Sequence, residues 1–130
     1  MAPRGSDTPL SYYQPSFQER RAFTDRRLHF ERIQAKYDDK VPVIIERYVG
    51  ELNLPEMSEC KFLVQEEATL AQLIYLVRLR LQLCPSQAFM LFVNNMSLVS
   101  STTTMRSMQN DFAQEDGFVY LTYASQSAFG

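Results

Sequence analysis

The side chains best suited to nucleophilic or metal chemistry are two cysteines, Cys60 and Cys84, and one histidine, His29. A thiolate–imidazole pair is the nucleophilic arrangement they permit. Both cysteines lie in apolar-periodic segments, where a small buried hydrophobe is the ordinary role. They form no CxxC pair, which fits reduced thiols, and a single histidine is too few for a Cys/His metal set. The sequence offers no paired-carboxylate motif, no glycine-rich phosphate loop and no nucleophile elbow. The expectation is a protein that is not an enzyme and uses no metal or cofactor.

Charge is unevenly distributed. Residues 1–50 carry nine Lys/Arg against seven Asp/Glu, and residues 51–130 carry four against eight, for a net charge of −2. Arg20, Arg21, Arg26, Arg27 and Arg32 form a basic run that reads either as a solvated helix face or as a partner surface. An acidic chain without an RNA-binding aromatic signature is not expected to bind nucleic acid. The longest apolar run, Ala88 to Val93, is far too short to cross a bilayer. Residues 1–13 do not resemble a signal peptide. A cytoplasmic protein follows, with any membrane attachment supplied by a modification.

At 130 residues the chain suits one domain. Residues 1–15 read as a flexible Pro-rich arm. Ser16-Phe17-Gln18-Glu19 is a capping-box pattern, and a second helix starts near Thr24-Asp25, with Phe30, Ile33 and Tyr37 at helical spacing until Asp38-Asp39-Lys40. The two helices thus occupy residues 16–40. Val41 to Val49 is a strand, in which Pro42 belongs at the start or on an edge, because proline donates no ladder bond. Lys61 to Val64 is a second strand. Thr69 caps the clearest helix, with Leu70, Leu73, Ile74, Val77 and Leu81 on one face and Pro85 as its stop. Phe89 to Val93, a short return at Leu98-Val99, a brief helix over 104–110 and a last strand over 118–123 complete the domain, which ends at residue 124. Residues 125–130 read as a flexible tail. The fold class is α+β: a mixed four-stranded sheet with one long helix on a face, the ubiquitin-like β-grasp, preceded by two extra helices.

Several stretches carry a resemblance. They are Gln18-Glu19-Arg20-Arg21, Val41 through Tyr48, Lys61-Phe62-Leu63-Val64, Arg80-Leu81-Gln82-Leu83, Glu115-Asp116-Gly117-Phe118 and Tyr123-Ala124-Ser125 through Phe129-Gly130. In collinear order over residues 17–130, these resemble the ubiquitin-like proteins of autophagy, in the microtubule-associated light chain 3 branch. The resemblance implies conjugation of the Gly130 carboxyl to phosphatidylethanolamine on the autophagosome membrane. It also implies E1-like and E2-like enzymes as partners, together with a processing and delipidating cysteine protease. Glycine suits the role: without a Cβ its acyl carbon is unhindered, and the tail can enter a narrow channel extended. Two acyl chains, at about 0.8 kcal/mol per buried CH₂, would anchor the protein stably.

The resemblance further implies a groove that takes cargo receptors and adaptors bearing an aromatic-x-x-aliphatic motif, by strand addition beside the second strand. Its first pocket would comprise Ile33, Pro42, Ile44, Lys61, Leu63 and Phe118, with His29 at the rim. Its second would comprise Phe62, Val64, Leu73, Leu76 and Arg80. Phe62 and Leu63 are adjacent in a strand and face opposite sides, so a partner is expected to cover what the domain leaves open. Arg20 and Arg21 match the basic motif that the family links to membrane, microtubule and partner contacts. Three departures bear on ligand choice: His29 stands where an acidic residue is usual, Glu59 where a lysine is usual, and Gln65 where a proline is usual. The rival reading is a non-covalent β-grasp module, such as a microtubule-binding light chain that never uses its terminus.

Overall fold

The computed structural model describes residues 15–94 and 98–126. Gly130, most of the N-terminal arm and the end of the tail lie outside them.

Local chemistry sets the first two helices. Helix α1, Phe17–Arg20, opens on the reciprocal Ser16/Glu19 capping box, so two otherwise unpaired N–H groups are satisfied. Helix α2, Phe23–Lys36, begins just before Thr24 with Ala22 as its cap, and no side chain closes its first turn. Asp25 sits in that turn and Lys36 in the last, each complementing the helix dipole.

The strands are β1, Lys40–Arg47; β2, Lys61–Gln65; β3, Met90–Val93; and β4, Val119–Ala124. They form one sheet in the order β2-β1-β4-β3, with β1 and β4 parallel in the centre and antiparallel partners outside. Helix α3, Leu70–Leu81, crosses between β2 and β3. A second capping box, Thr69 with Gln72, starts it. The short helix α4, Met105–Phe112, opens on the Thr104 hydroxyl.

The sheet is covered on both faces. On one, Val41, Val43, Phe62, Val64, Leu121 and Tyr123 meet Leu70, Leu73, Val77 and Leu81 of α3, and Met105 and Met108 of α4. On the other, Ile44 and Phe118 meet Phe17 of α1, with Phe30 and Ile33 of α2 packed against them. Full burial of a large side chain contributes about 1.5–3 kcal/mol, which holds α1, α3 and α4 in place, whereas α2 rests on the partly buried Phe30 and Ile33.

Several expectations require correction. Pro42 lies in a central strand, not at an edge or first position, yet it breaks no ladder bond. Ile45 N–H donates to Cys60 O and Glu66 N–H to Asp39 O, so odd residues of β1 carry the bonds to β2, and Pro42 opposite Leu63 falls between them. Pairing with β4 starts one residue later, at Val43↔Val119. Helix α3 stops at Leu81, before Pro85, because Gln82 turns left-handed (φ 55°) and its N–H closes onto Arg78 O and Leu79 O. The first strand ends at Arg47, where Tyr48 N–H bonds Tyr123 O and Glu51 N–H turns back to Tyr48 O, leaving Val49 in solvent. Leu98-Val99 is not a strand. The segment that follows caps α3, with Ser101 O and Thr103 O accepting the N–H groups of Ala71 and Leu70, first-turn donors with no partner inside the helix.

Candidate functional site

Strand β2 is an edge strand, and its pairing decides what the edge offers. Because residues 60, 62 and 64 bond to β1, the backbone N–H and C=O groups of Lys61, Leu63 and Gln65 point to the open side. An extended peptide laid there finds a ready hydrogen-bonding row.

Side chains alternate across the same strand. Lys61 and Leu63 face α2, with Pro42, Ile44 and Phe118 behind them and Ile33 half-buried above. Ile44 and Phe118 are fully buried and Pro42 is buried, so of this set Ile33, Lys61 and Leu63 present surface; Leu63 is 40% exposed. Phe17, Phe30 and Tyr120 surround Phe118 with ring centroids 5.4, 5.5 and 6.3 Å away. Each ring packs edge-on against Phe118, the arrangement that the charge distribution of aromatic rings favours.

Phe62 and Val64 face α3. They and Leu73 belong to the main core, and Phe62 is 6% exposed. Above them Leu76 and Arg80 are exposed on α3, with the Arg80 guanidinium 4.8 Å from the Phe62 ring centroid. The two expected pockets therefore lie on opposite faces of the sheet, one on each side of the β2 edge. Their deepest members are fold residues that form a floor.

At the rim of the first cluster, Lys61 Nζ lies 2.5 Å from His29 Nε2. Partial burial, then the charges of Lys61, Arg21 and Arg32, push the imidazole below its ordinary value. A neutral ring that accepts from Lys61 at Nε2 carries its proton on Nδ1. Its acceptor is thus already engaged by the lysine.

The basic run is divided by the fold. Arg26 donates to buried Asp116 (2.8 Å) and to the carbonyls of Gln18 and Arg21, tying α2 to the start of β4. Arg27 pairs with Glu31 and donates to Glu115 O. Arg20 and Arg21 remain on the surface, each stacked near the Phe17 ring, at 5.8 and 5.6 Å. Arg20 also donates to Cys60 Sγ (3.7 Å). Burial, reinforced by Glu46 and opposed by Arg20, raises the Cys60 thiol above its ordinary value, which disfavours the thiolate. Cys84 is exposed at the far end of α3. Among the described residues no group of three or more His, Cys, Asp or Glu side chains is placed to hold a metal. None of the described helices is long and apolar enough to cross a membrane.

Two buried acids escaped the sequence reading. Asp116 accepts from Arg26, from the Tyr120 hydroxyl (2.6 Å) and from Phe118 N–H (3.0 Å), fixing the floor of the first cluster. Burial and Asp116 together raise the Tyr120 hydroxyl far above its ordinary value. Glu51, 2% exposed, accepts from Ser125 N–H (2.6 Å), the Ser125 hydroxyl, Asn53 N–H and Leu54 N–H. Burial raises the Glu51 carboxyl, but these donors outweigh it and leave the group below its ordinary value. Ser125, read from sequence as the first tail residue, is thus buried and bound to the domain. The partners are 74 residues apart in sequence, and no local pattern marks the pair.

Comparison with known proteins yields a consistent set. A model of the family described as "Autophagy protein Atg8 ubiquitin like" matches residues 25–130. The chain is 52% identical to Protein lgg-2 of Caenorhabditis elegans over 116 residues, covering 89% of each. It is 45% identical to human microtubule-associated protein 1 light chain 3 gamma over 114 residues, 88% of this chain and 78% of that protein. It is 38% identical to autophagy-related protein 8h of Arabidopsis thaliana over 115 residues, 88% and 95% of the two.

Proposed function

The chain belongs to the Atg8 ubiquitin-like family of autophagy proteins, and we propose that within it the protein is a lipid-conjugated adaptor. Gly130 is the conjugation residue, joined to phosphatidylethanolamine by E1-like and E2-like enzymes and released by a cysteine protease. In the cytoplasm the protein awaits conjugation; on the autophagosome membrane it presents the β2 groove to cargo receptors and adaptors.

The observation that carries the recognition half is the placement of the two clusters. In an extended strand, side chains alternate, so residues three apart point to opposite faces. A peptide added beside β2 would send its aromatic residue toward Ile33, Lys61 and Leu63 and its aliphatic residue toward Leu76 and Arg80. An aromatic-x-x-aliphatic spacing is odd, as two clusters on opposite sides of one edge require. The outward N–H and C=O groups of Lys61, Leu63 and Gln65 would supply the backbone bonds. Arg20 and Arg21 form the basic contact face.

A non-covalent light chain that binds microtubules through that face is the second reading, favoured by the exposure of both arginines. Reconstitution with the conjugating enzymes and phosphatidylethanolamine vesicles separates the two. The first reading expects an adduct of lipid mass on Gly130, and expects deletion of Gly130 to abolish it without moving the melting temperature. An undiminished adduct yield from the deletion variant would defeat it.

A further inference from the structure

The tail leaves the domain beside an apolar loop. Between Tyr48 and Leu54 the chain is held by Glu51, which receives Asn53 N–H and Leu54 N–H, and by Glu51 N–H on Tyr48 O. Leu54 is buried and Tyr48 N–H bonds Tyr123 O, so the loop is fastened at both ends. This fixed backbone holds Val49 and Leu52 in solvent, 100% and 90% exposed. No Lys or Arg lies between Tyr48 and Ser58, and Glu56 is paired with Arg47 at 3.0 Å.

Glu51, between Val49 and Leu52 in sequence, is also the residue that grips Ser125. Five residues separate Ser125 from the end of Gly130, a reach of at most about 18 Å when fully extended. A lipid joined to Gly130 therefore keeps the bilayer within that reach of Ser125, which is bonded to Glu51 in the middle of the loop. We infer that Val49 and Leu52 form a membrane-contact loop that docks on the bilayer surface once the C-terminus is anchored there. This rests on the conjugation proposed above. Two apolar side chains bind a bilayer too weakly from free solution, but a short tether raises their effective concentration to the millimolar range. The contact is apolar, so high salt leaves it in place.

The test attaches the chain without enzymes, so it does not depend on Gly130 being recognised. Gly130→Cys, in a background with Cys60→Ser and Cys84→Ser, is coupled to maleimide-bearing phosphatidylethanolamine in phosphatidylcholine vesicles. If the melt shows that Cys60→Ser loosens the fold, Cys60 is retained and coupling at the tail alone is verified by mass. The chain contains no tryptophan, so each introduced one is the sole reporter. Val49→Trp and Leu52→Trp replace exposed side chains. Leu98→Trp, at a residue 68% exposed, is the control. It follows β3, whose Val93 pairs with Leu121, whereas the tail leaves from the other end of β4, where Met90 pairs with Ala124.

The expected result is a blue shift and quenching by brominated lipid at positions 49 and 52 on coupling, unchanged in high salt, with position 98 unaffected. Solution-like, unquenched emission at both loop positions after coupling would overturn the inference. So would equal quenching at position 98, or a blue shift in lipid-free solution that grows with protein concentration, which would place a second copy on the loop. Enzymatic adduct yield on the unaltered chain reports separately on the conjugation reading.

Discussion

Phe62 and Leu63 are neighbours in β2, and truncating each to alanine should produce different phenotypes, one chiefly in stability and the other chiefly in ligand affinity. Full burial of a large apolar side chain contributes about 1.5–3 kcal/mol. Leu63 is 40% exposed, so a bound peptide can cover that remaining fraction, about 0.6–1.2 kcal/mol. Leu63→Ala should therefore weaken an aromatic-x-x-aliphatic peptide by roughly three- to eight-fold, at about 1.4 kcal/mol per tenfold. It also gives up the part already covered, a stability loss of about 1–2 kcal/mol that leaves the domain folded. Phe62 is 6% exposed and packs in the main core, so a ligand has almost nothing left to bury there. Phe62→Ala should instead cost about 3–5 kcal/mol of stability through the cavity it leaves. The assay is denaturant unfolding of both variants, with calorimetric titration of one peptide under conditions where each is folded. If Phe62→Ala keeps wild-type stability while Leu63→Ala keeps wild-type affinity, the assignment of faces along β2 is wrong.

The charged rim and the buried acids give further expectations. His29 already accepts from Lys61, so tryptophan-anchored peptides preceded by acidic residues should gain a few-fold, salt-screened affinity from His29→Asp and from Glu59→Lys; no gain from either would make both positions neutral surface variation. Because the folded His29 has a depressed pKa, the unfolded chain binds the extra proton first, and stability should fall as pH drops below the ordinary value of 6.5; unfolding curves for His29→Gln should show a shallower pH slope there, and an identical slope would refute the effect. Asp116→Ala strands Arg26 in a largely buried position and should cost about 3–5 kcal/mol by denaturant titration, whereas breaking the exposed Arg27–Glu31 pair with Glu31→Ala should cost under about 1 kcal/mol. Equal losses from the two would remove Asp116 as the tie between α2 and the sheet.

What the sequence determined by itself was whatever short-range chemistry decides. The capping boxes at Ser16 and Thr69 each close within three residues, and the 3.6-residue stripe of α3 needs only its own spacing. The motifs around β1, β2 and the final strand were enough to indicate the family, and the β2 groove entered only as what that resemblance implies. Local reasoning erred where a distant segment took over. Pro42 is tolerated in a central strand because of its phase in the ladder with β2 and the later start of β4. Leu98-Val99 has strand-like residues, yet the segment after it is drawn to the unpaired N–H groups of α3. Phe62 and Leu63 are equally apolar in sequence, and their separation into core and rim came only from the helices packed on the two faces of the sheet. Asp116 with Arg26, 90 residues apart, and Glu51 with Ser125, 74 residues apart, are ordinary acids until folding removes their water. A buried carboxylate must then recover its lost hydrogen bonds from whichever donors the topology brings near, and those partners are fixed by the tertiary structure alone.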